Sequence, residues 1–183
     1  VVTNKSSGKQ GRALAIELSA RGYEIIYIHS ASIDHIPGLD NVSFHSSNDL
    51  KNKILENINN TDAIFMTAAV SDFTVKKSTG KISRSNGNIT LEFIPNEDII
   101  ASIKTSYPEI KCIAFSAQVD DELNFNKINT KNVDYLVINN ILKNKFGSDT
   151  NKVSLIDQQH LIFESEELDK NEISRDILNA LEY

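Results

Sequence analysis

Four basic residues crowd one stretch of an acidic chain: Lys76, Lys77, Lys81 and Arg84. Two more lysines, Lys127 and Lys131, stand one helical turn apart in a segment predicted to be helical, so both ammonium groups share a face. Cations grouped in this way suit an anionic small substrate, which a chain of net charge -6 would have to meet with a local cluster of positive charge. Near the start, Thr3-Asn4-Lys5-Ser6-Ser7-Gly8-Lys9-Gln10-Gly11 leads into an apolar-periodic segment. Small polar residues and glycine at a helix start leave backbone N–H groups that can hold a phosphate or carboxylate. The segment is not a P-loop, because it lacks the first glycine of that motif and has Gln10 where a Ser or Thr would ligate magnesium. Taken alone, it reads as a capped helix start.

Other chemistries are excluded by composition. A net charge of -6 over 183 residues argues against a nucleic-acid partner, whose phosphates are met by basic faces. The single cysteine, Cys112, lies in the apolar run from Ile110 to Phe115 and reads as a small buried strand residue; a disulfide framework is excluded, which suits the cytoplasm. The histidines at 29, 35, 45 and 160 have no zinc spacing, and no protein metal site is expected. No apolar run approaches the ~20 residues of a membrane span, and no signal peptide opens the chain. Because residue 1 is valine, the natural start is expected further upstream.

The elements that must position these residues alternate in type. Gly8 to Arg21 has helical apolar spacing, with Gly22 as the stop. Short apolar strands are predicted at 25–28, 42–44, 63–66, 110–115 and 135–138, with helices at 49–58, from 96 or 97 to 106, 121–131 and 172–181. This is the pattern of a Rossmann-like doubly wound, mostly parallel α/β sheet with helices on both faces, forming one domain over 1–183. Ligands in such sheets sit beyond the carboxyl ends of the strands, here the loops after Ile28, Met66 and Phe115. Asn86-Gly87 signals a hairpin, so 81–85 and 89–94 are predicted to form an antiparallel ribbon projecting from the sheet. A terminal hairpin is predicted from 153–157 and 161–163.

Specific strings add to this reading. Thr3 to Gly11 is similar to the T/S-N-x-S-S-G-x-x-G signature of phosphopantothenoylcysteine synthetases. Thr67-Ala68-Ala69-Val70-Ser71-Asp72-Phe73 resembles that family's A-A-V-A/S-D-[FYW], and Gly80-Lys81-Ile82-Ser83-Arg84 its G-K-I-K-[KR]. Asn96-Glu97-Asp98-Ile99 stands for N-P-D-I, and Ala114-Phe115-Ser116-Ala117-Gln118 for G-F-A-A-E. Lys127 to Asp134 matches K-L-x-x-K-x-x-D, and Phe146 to Asn151 matches F-G-S-D-x-N. The motifs fall in family order over nearly the whole chain.

The resemblance implies a cytoplasmic, homodimeric ligase of coenzyme A biosynthesis that joins 4'-phosphopantothenate to L-cysteine. The cosubstrate is CTP in most bacterial members and ATP in eukaryotic ones, brought with Mg2+ on its phosphates. An acyl-nucleotide forms with release of pyrophosphate, and the cysteine amine then attacks it. By residue, the resemblance gives catalytic roles to Asn4 and Lys81. It places nucleotide contacts at Ala68, Ala69, Asp72, Lys81, Asn96, Asp98, Ile99, Phe115, Lys127 and Lys131, and substrate contacts at Asn4, Ser6, Ser7, Gly8, Ala68 and Ala69. Bland alternatives stand beside these: a solvated edge-strand lysine for Lys81, a solvated helix face for Lys127 and Lys131, a capping role for Asn4 and Asp72, and core for Phe115.

Three departures from the family pattern are visible. A first strand with a glycine-rich turn, and an arginine four residues ahead of Asn4, are expected before Val1 and absent from the chain. Glu97 replaces proline and Gln118 replaces glutamate. The family also implies that a flavin-dependent decarboxylase domain can precede this one. Two rivals remain. Tyr107-Pro108-Glu109-Ile110-Lys111 matches the Y-x-x-x-K of short-chain NAD(P) oxidoreductases, although Pro108 would break the helix that motif needs. A non-catalytic nucleotide-binding or dimerisation fragment is the other.

Overall fold

A computed structural model of the protein describes residues 6–76, 88, 90–118, 123–140 and 149–183. Asn4, Lys77, Lys81, Arg84 and the stretch 146–148 lie outside the described residues.

The first helix, α1 (Lys9–Ala20), starts at Gly8, whose φ of 68° is a left-handed conformation that glycine adopts without strain. It ends as predicted before Gly22, where φ is 90°. The chain then forms β1 (Ile26–Ser30), β2 (Asp40–Phe44), α2 (Ser47–Glu56), a short 3-10 turn and β3 (Ala63–Met66). After β4 (Phe73–Val75) and β5 (Phe93–Pro95) come α3 (Ile99–Ser106), β6 (Lys111–Gln118), α4 (Asn126–Lys131) and β7 (Tyr135–Asn140). The final elements are β8 (Thr150–Asn151), β9 (Val153–Ile156), β10 (Leu161–Glu164), β11 (Leu168–Asp169) and α5 (Lys170–Ala180).

A five-stranded sheet has the order β10-β9-β7-β6-β3. Its β3, β6 and β7 run parallel, while β9 and β10 add the predicted hairpin antiparallel at one edge. The hairpin turn closes because Asp157 accepts from the backbone N–H groups of Gln159 and His160. The parallel pair β1–β2 forms a separate ladder. Among the described residues no strand joins β1 to β3.

Side chains alternate across β6, which places the layers. Cys112 and Ala114 face a core with Leu50, Ile54, Ile100, Ile103 and Ile128, so α2, α3 and α4 cover one side. Ile113 faces Val137, Leu155, Ile173 and Ile177 under α5, and Phe115 packs with Leu14, Leu18 and Leu178 between α1 and α5. Helices on both faces are thus present as expected. The closing helix carries a capping box, Asp169 with Glu172, that starts it earlier than the predicted Glu172.

Three boundaries differ from expectation. α3 begins at Ile99 and not at 96 or 97, because Asp98 caps it by accepting from the Ala101 N–H. α4 begins at Asn126, and residues 123 and 124 are non-helical, whereas the sequence suggested a start near 121. Asn124 explains this by accepting from the Asn126 N–H through its side chain and from the Lys127 N–H through its carbonyl. The ribbon partner of β5 is β4, with Phe73↔Pro95 and Val75↔Phe93, so the pairing begins directly after the Ser71-Asp72 loop. The predicted arm 81–85 lies outside the described residues. The short β8–β11 pair was not anticipated, since two residues carry no periodicity to read.

Candidate functional site

The carboxyl ends of β3, β6 and β7 lie on one rim because these strands are parallel. Two close approaches bring the start of α1 to the same region. A methyl group built on Gly11 would stand 2.5 Å from Thr67 Oγ1, directly after β3, and one built on Gly8 would collide with the Ile33 side chain after β1. The glycines of the signature therefore let α1 sit against two strand ends. Arg12 fastens the second of these loops by donating to the carbonyls of Asp34 and His35, at 3.2 and 3.1 Å. Ser6 and Ser7 lie at this junction, the Ser6 hydroxyl accepting weakly from Gly8 N–H at 3.4 Å.

The loop after β3 carries Ala68, Ala69 and Asp72. Ala68 is partly buried against the core beneath α3 and α4, and its carbonyl accepts from Val70 N–H at 3.0 Å, so the backbone turns tightly there. Asn96 clamps this loop. Its backbone N–H donates to Asp72 O at 2.8 Å, and its side-chain amide donates to Ser71 O at 3.0 Å. Asn96 thus positions the Ser71-Asp72 turn through the backbone, and the same contacts hold the foot of the ribbon. Ile99 is buried core at the first turn of α3.

Lys127 and Lys131 both reach acceptors on the face covered by α3 and α4. Lys131 Nζ donates to Asp98 Oδ2 at 2.9 Å, tying α4 to the capping residue of α3. Lys127 Nζ donates to Gln118 Oε1 at 2.7 Å, at the carboxyl end of β6. The Phe115 side chain lies on the other face of β6, partly buried against Leu14, Leu18 and Leu178. The alternation of β6 puts residues 112, 114, 116 and 118 toward α3 and α4 and residue 115 away from them. Glu97 points to α2, where Lys51 holds it at 2.6 Å; this bond, and then one from Ser102, keep its carboxyl below the ordinary range.

Among the described residues no group of three His, Cys, Asp or Glu could hold a metal ion. His29 is buried within β1, stacked on the Tyr27 ring at 5.2 Å. Tyr107 and Lys111 belong to different elements, with Tyr107 ending α3 and Lys111 opening β6 under the ring of Tyr183, so they cannot form a helical Y-x-x-x-K pair. Sequence reasoning missed Gly11, Thr67, Ile33 and Arg12. Their signal was only the repeated glycine of the signature, which says that something approaches but not what. Lys9 of the signature pairs with Asp149 of the F-G-S-D-x-N string, lowering the Asp149 carboxyl and linking the starts of α1 and β8.

Known proteins share this sequence pattern and this fold. A family model described as the DNA/pantothenate metabolism flavoprotein C-terminal domain matches residues 1–183. The chain is 30% identical over 98% of its length to a Cysteine/Cysteine sulfinic acid decarboxylase from an unknown prokaryotic organism, of which it covers 52%. It is 31% identical over 98% of its length to Coenzyme A biosynthesis bifunctional protein CoaBC of Bacillus subtilis (strain 168), of which it covers 46%. The crystal structure of the C-terminal domain of Coenzyme A biosynthesis bifunctional protein CoaBC aligns with a TM-score of 0.78 at 26% identity, over 99% of this chain and 86% of that one. The chain therefore spans about half the length of the curated relatives it matches.

Proposed function

The chain belongs to the family of the DNA/pantothenate metabolism flavoprotein C-terminal domain, and on that footing we propose that it is the ligase part of a coenzyme A biosynthesis protein, joining 4'-phosphopantothenate to L-cysteine. The reading is supported most by one feature: the glycine-cradled start of α1, the Asn96-clamped loop after β3 and the Lys127–Gln118 contact meet around one sheet rim. A nucleotide lying across that rim would meet backbone N–H groups and an ammonium group together.

In the proposed reaction the phosphopantothenate carboxylate attacks the α-phosphate of CTP, or of ATP, and pyrophosphate leaves with the electron pair. The cysteine amine then attacks the acyl-nucleotide carbonyl, loses its proton and displaces the nucleoside monophosphate. The triphosphate enters as its magnesium complex, so the metal belongs to the substrate. Lys127 and Lys81 neutralise phosphate charge, and Asn4 donates its side-chain amide to the acyl carbonyl in the second step. The backbone at Ala68 and Ala69 passes close to the substrates for want of larger side chains, and Asp72 accepts from the nucleotide.

We further propose that this part works in the cytoplasm as a homodimer, with a flavin-dependent decarboxylase part preceding it in the same polypeptide. The ribbon supports pairing, since Phe73 and Phe93 are 54% and 48% exposed and Leu91 and Ile94 are exposed beside them.

The test is pyrophosphate release by the full-length protein given phosphopantothenate and magnesium–CTP before cysteine is added, with ATP in a parallel arm. Lys81→Ala should slow this step, and Asn4→Asp should let the acyl-nucleotide accumulate. NADPH oxidation without pyrophosphate would replace the ligase reading with an oxidoreductase, and nucleotide binding without turnover would leave a non-catalytic domain.

A further inference from the structure

The two lysines of α4 have partners of different charge. Lys131 is neutralised by the Asp98 carboxylate. Lys127 is held by an amide, and among the described residues it makes no ion pair, unlike Lys51, Lys76 and Lys104, which each meet a carboxylate. The local balance of Asp98, Lys131 and Lys127 is therefore one positive charge, carried by Lys127.

The amide has one possible orientation. An ammonium group has donors and no acceptor, so Gln118 must turn its oxygen toward Lys127 and its Nε2 the other way. That Nε2 is buried and meets no acceptor among the described residues, although Gln118 is only 5% exposed. A buried N–H group is costly to leave unpaired, and such a group at a ligand-facing strand end is matched by an acceptor that arrives with the ligand.

We infer that Gln118 is a positioning residue that holds Lys127 at the rim without cancelling its charge and donates its own Nε2–H to the same ligand. The ligand group is a polyphosphate, whose separate oxygens can accept one from the ammonium and another from the amide. A carboxylate in this place, as in the family pattern, would hold the ammonium as firmly but remove the net charge. This chain thus offers the triphosphate one more unit of positive charge than that pattern does. The inference rests on the ligase reading, because it takes the nucleotide as the anion.

Gln118→Glu and Gln118→Met in the full-length protein test it, with magnesium–CTP binding followed by calorimetry across a salt series and folding followed by thermal melting. For Gln118→Glu the dissociation constant should rise about tenfold, the equivalent of one lost charge-assisted contact. Its dependence on salt should become shallower. The melting temperature should hold or rise, because an ion pair replaces a neutral contact. Affinity and stability moving in opposite directions is an outcome that a purely structural residue does not produce. Gln118→Met, similar in size with neither donor nor acceptor, should also bind more weakly. If the unsubstituted protein binds magnesium–CTP and Gln118→Glu matches it within twofold with the same salt slope, this inference alone is overturned. If the unsubstituted protein binds neither magnesium–CTP nor magnesium–ATP, the ligase reading fails and takes this inference with it.

Discussion

Replacing Gly11 by alanine tests the closest approach in the site. The new methyl carbon would lie 2.5 Å from Thr67 Oγ1, roughly 0.9 Å short of ordinary van der Waals contact. Thr67 directly follows β3 and leads into Ala68 and Ala69, and its hydroxyl is too short a group to swing aside as a long side chain can. Two effects compete. Alanine is the better helix former by about 1 kcal/mol, whereas forcing atoms into a filled space costs about 1–3 kcal/mol. The net expectation is a loss of about 1 kcal/mol in urea unfolding followed by far-UV circular dichroism. Removing the obstacle should reverse it, because the next Thr67 atom, Cβ, is at an ordinary 3.6 Å. Gly11→Ala with Thr67→Ala should therefore be more stable than the sum of the single variants by about 2 kcal/mol, the coupling expected of atoms in contact. Pyrophosphate release should fall about a hundredfold in Gly11→Ala, since a shift of about 1 Å in a positioning loop has that effect. A Gly11→Ala protein stabilised by its full helical preference, or a double variant no better than additive, would show that the approach does not constrain the loop.

Asp134 joins the ends of two elements far from the rim: it pairs with Lys104 at 2.8 Å and accepts from the buried Cys112 N–H at 2.7 Å. Asp134→Ala should cost about 1–3 kcal/mol, chiefly by leaving the buried Cys112 N–H unpaired, since Lys104 keeps the Pro108 and Ile110 carbonyls, and Asp134→Asn less, measured by urea unfolding with nucleotide binding retained. At alkaline pH, burial raises the Cys112 thiol from 9.0 to about 11 and the Tyr183 hydroxyl from 10.0 to about 12. Both groups hold their protons more tightly in the folded protein, so their contribution is complete below the ordinary values and is lost as pH climbs through the raised ones. The melting temperature should fall between about pH 9 and 12, and Tyr183→Phe should flatten that fall; an unchanged slope would remove Tyr183 as its source. In the folded state at neutral pH, Cys112 should not react with a thiol reagent, and it should react fully once the protein is unfolded in urea.

Much of the architecture was determined by the sequence alone. Apolar runs such as Ala63 to Met66, helical spacing from Ala13 to Leu18 and stops such as Gly22 are local signals, so the alternation of elements, and with it the two-sided α/β sheet, followed from them. The order of motifs likewise pointed to the family without coordinates. Tertiary structure decided what depends on neighbours distant in the chain. Only packing showed that Gly11 meets Thr67 and Gly8 meets Ile33, that β5 pairs with Phe73–Val75, and that Phe115 faces away from α4. The lysines of α4 make the reason plain. Spacing put Lys127 and Lys131 on one face, yet their charges differ in effect because one meets Asp98, 33 residues away in sequence, and the other meets Gln118. A charge can be counted from sequence, but whether it is cancelled is set by what the fold brings beside it.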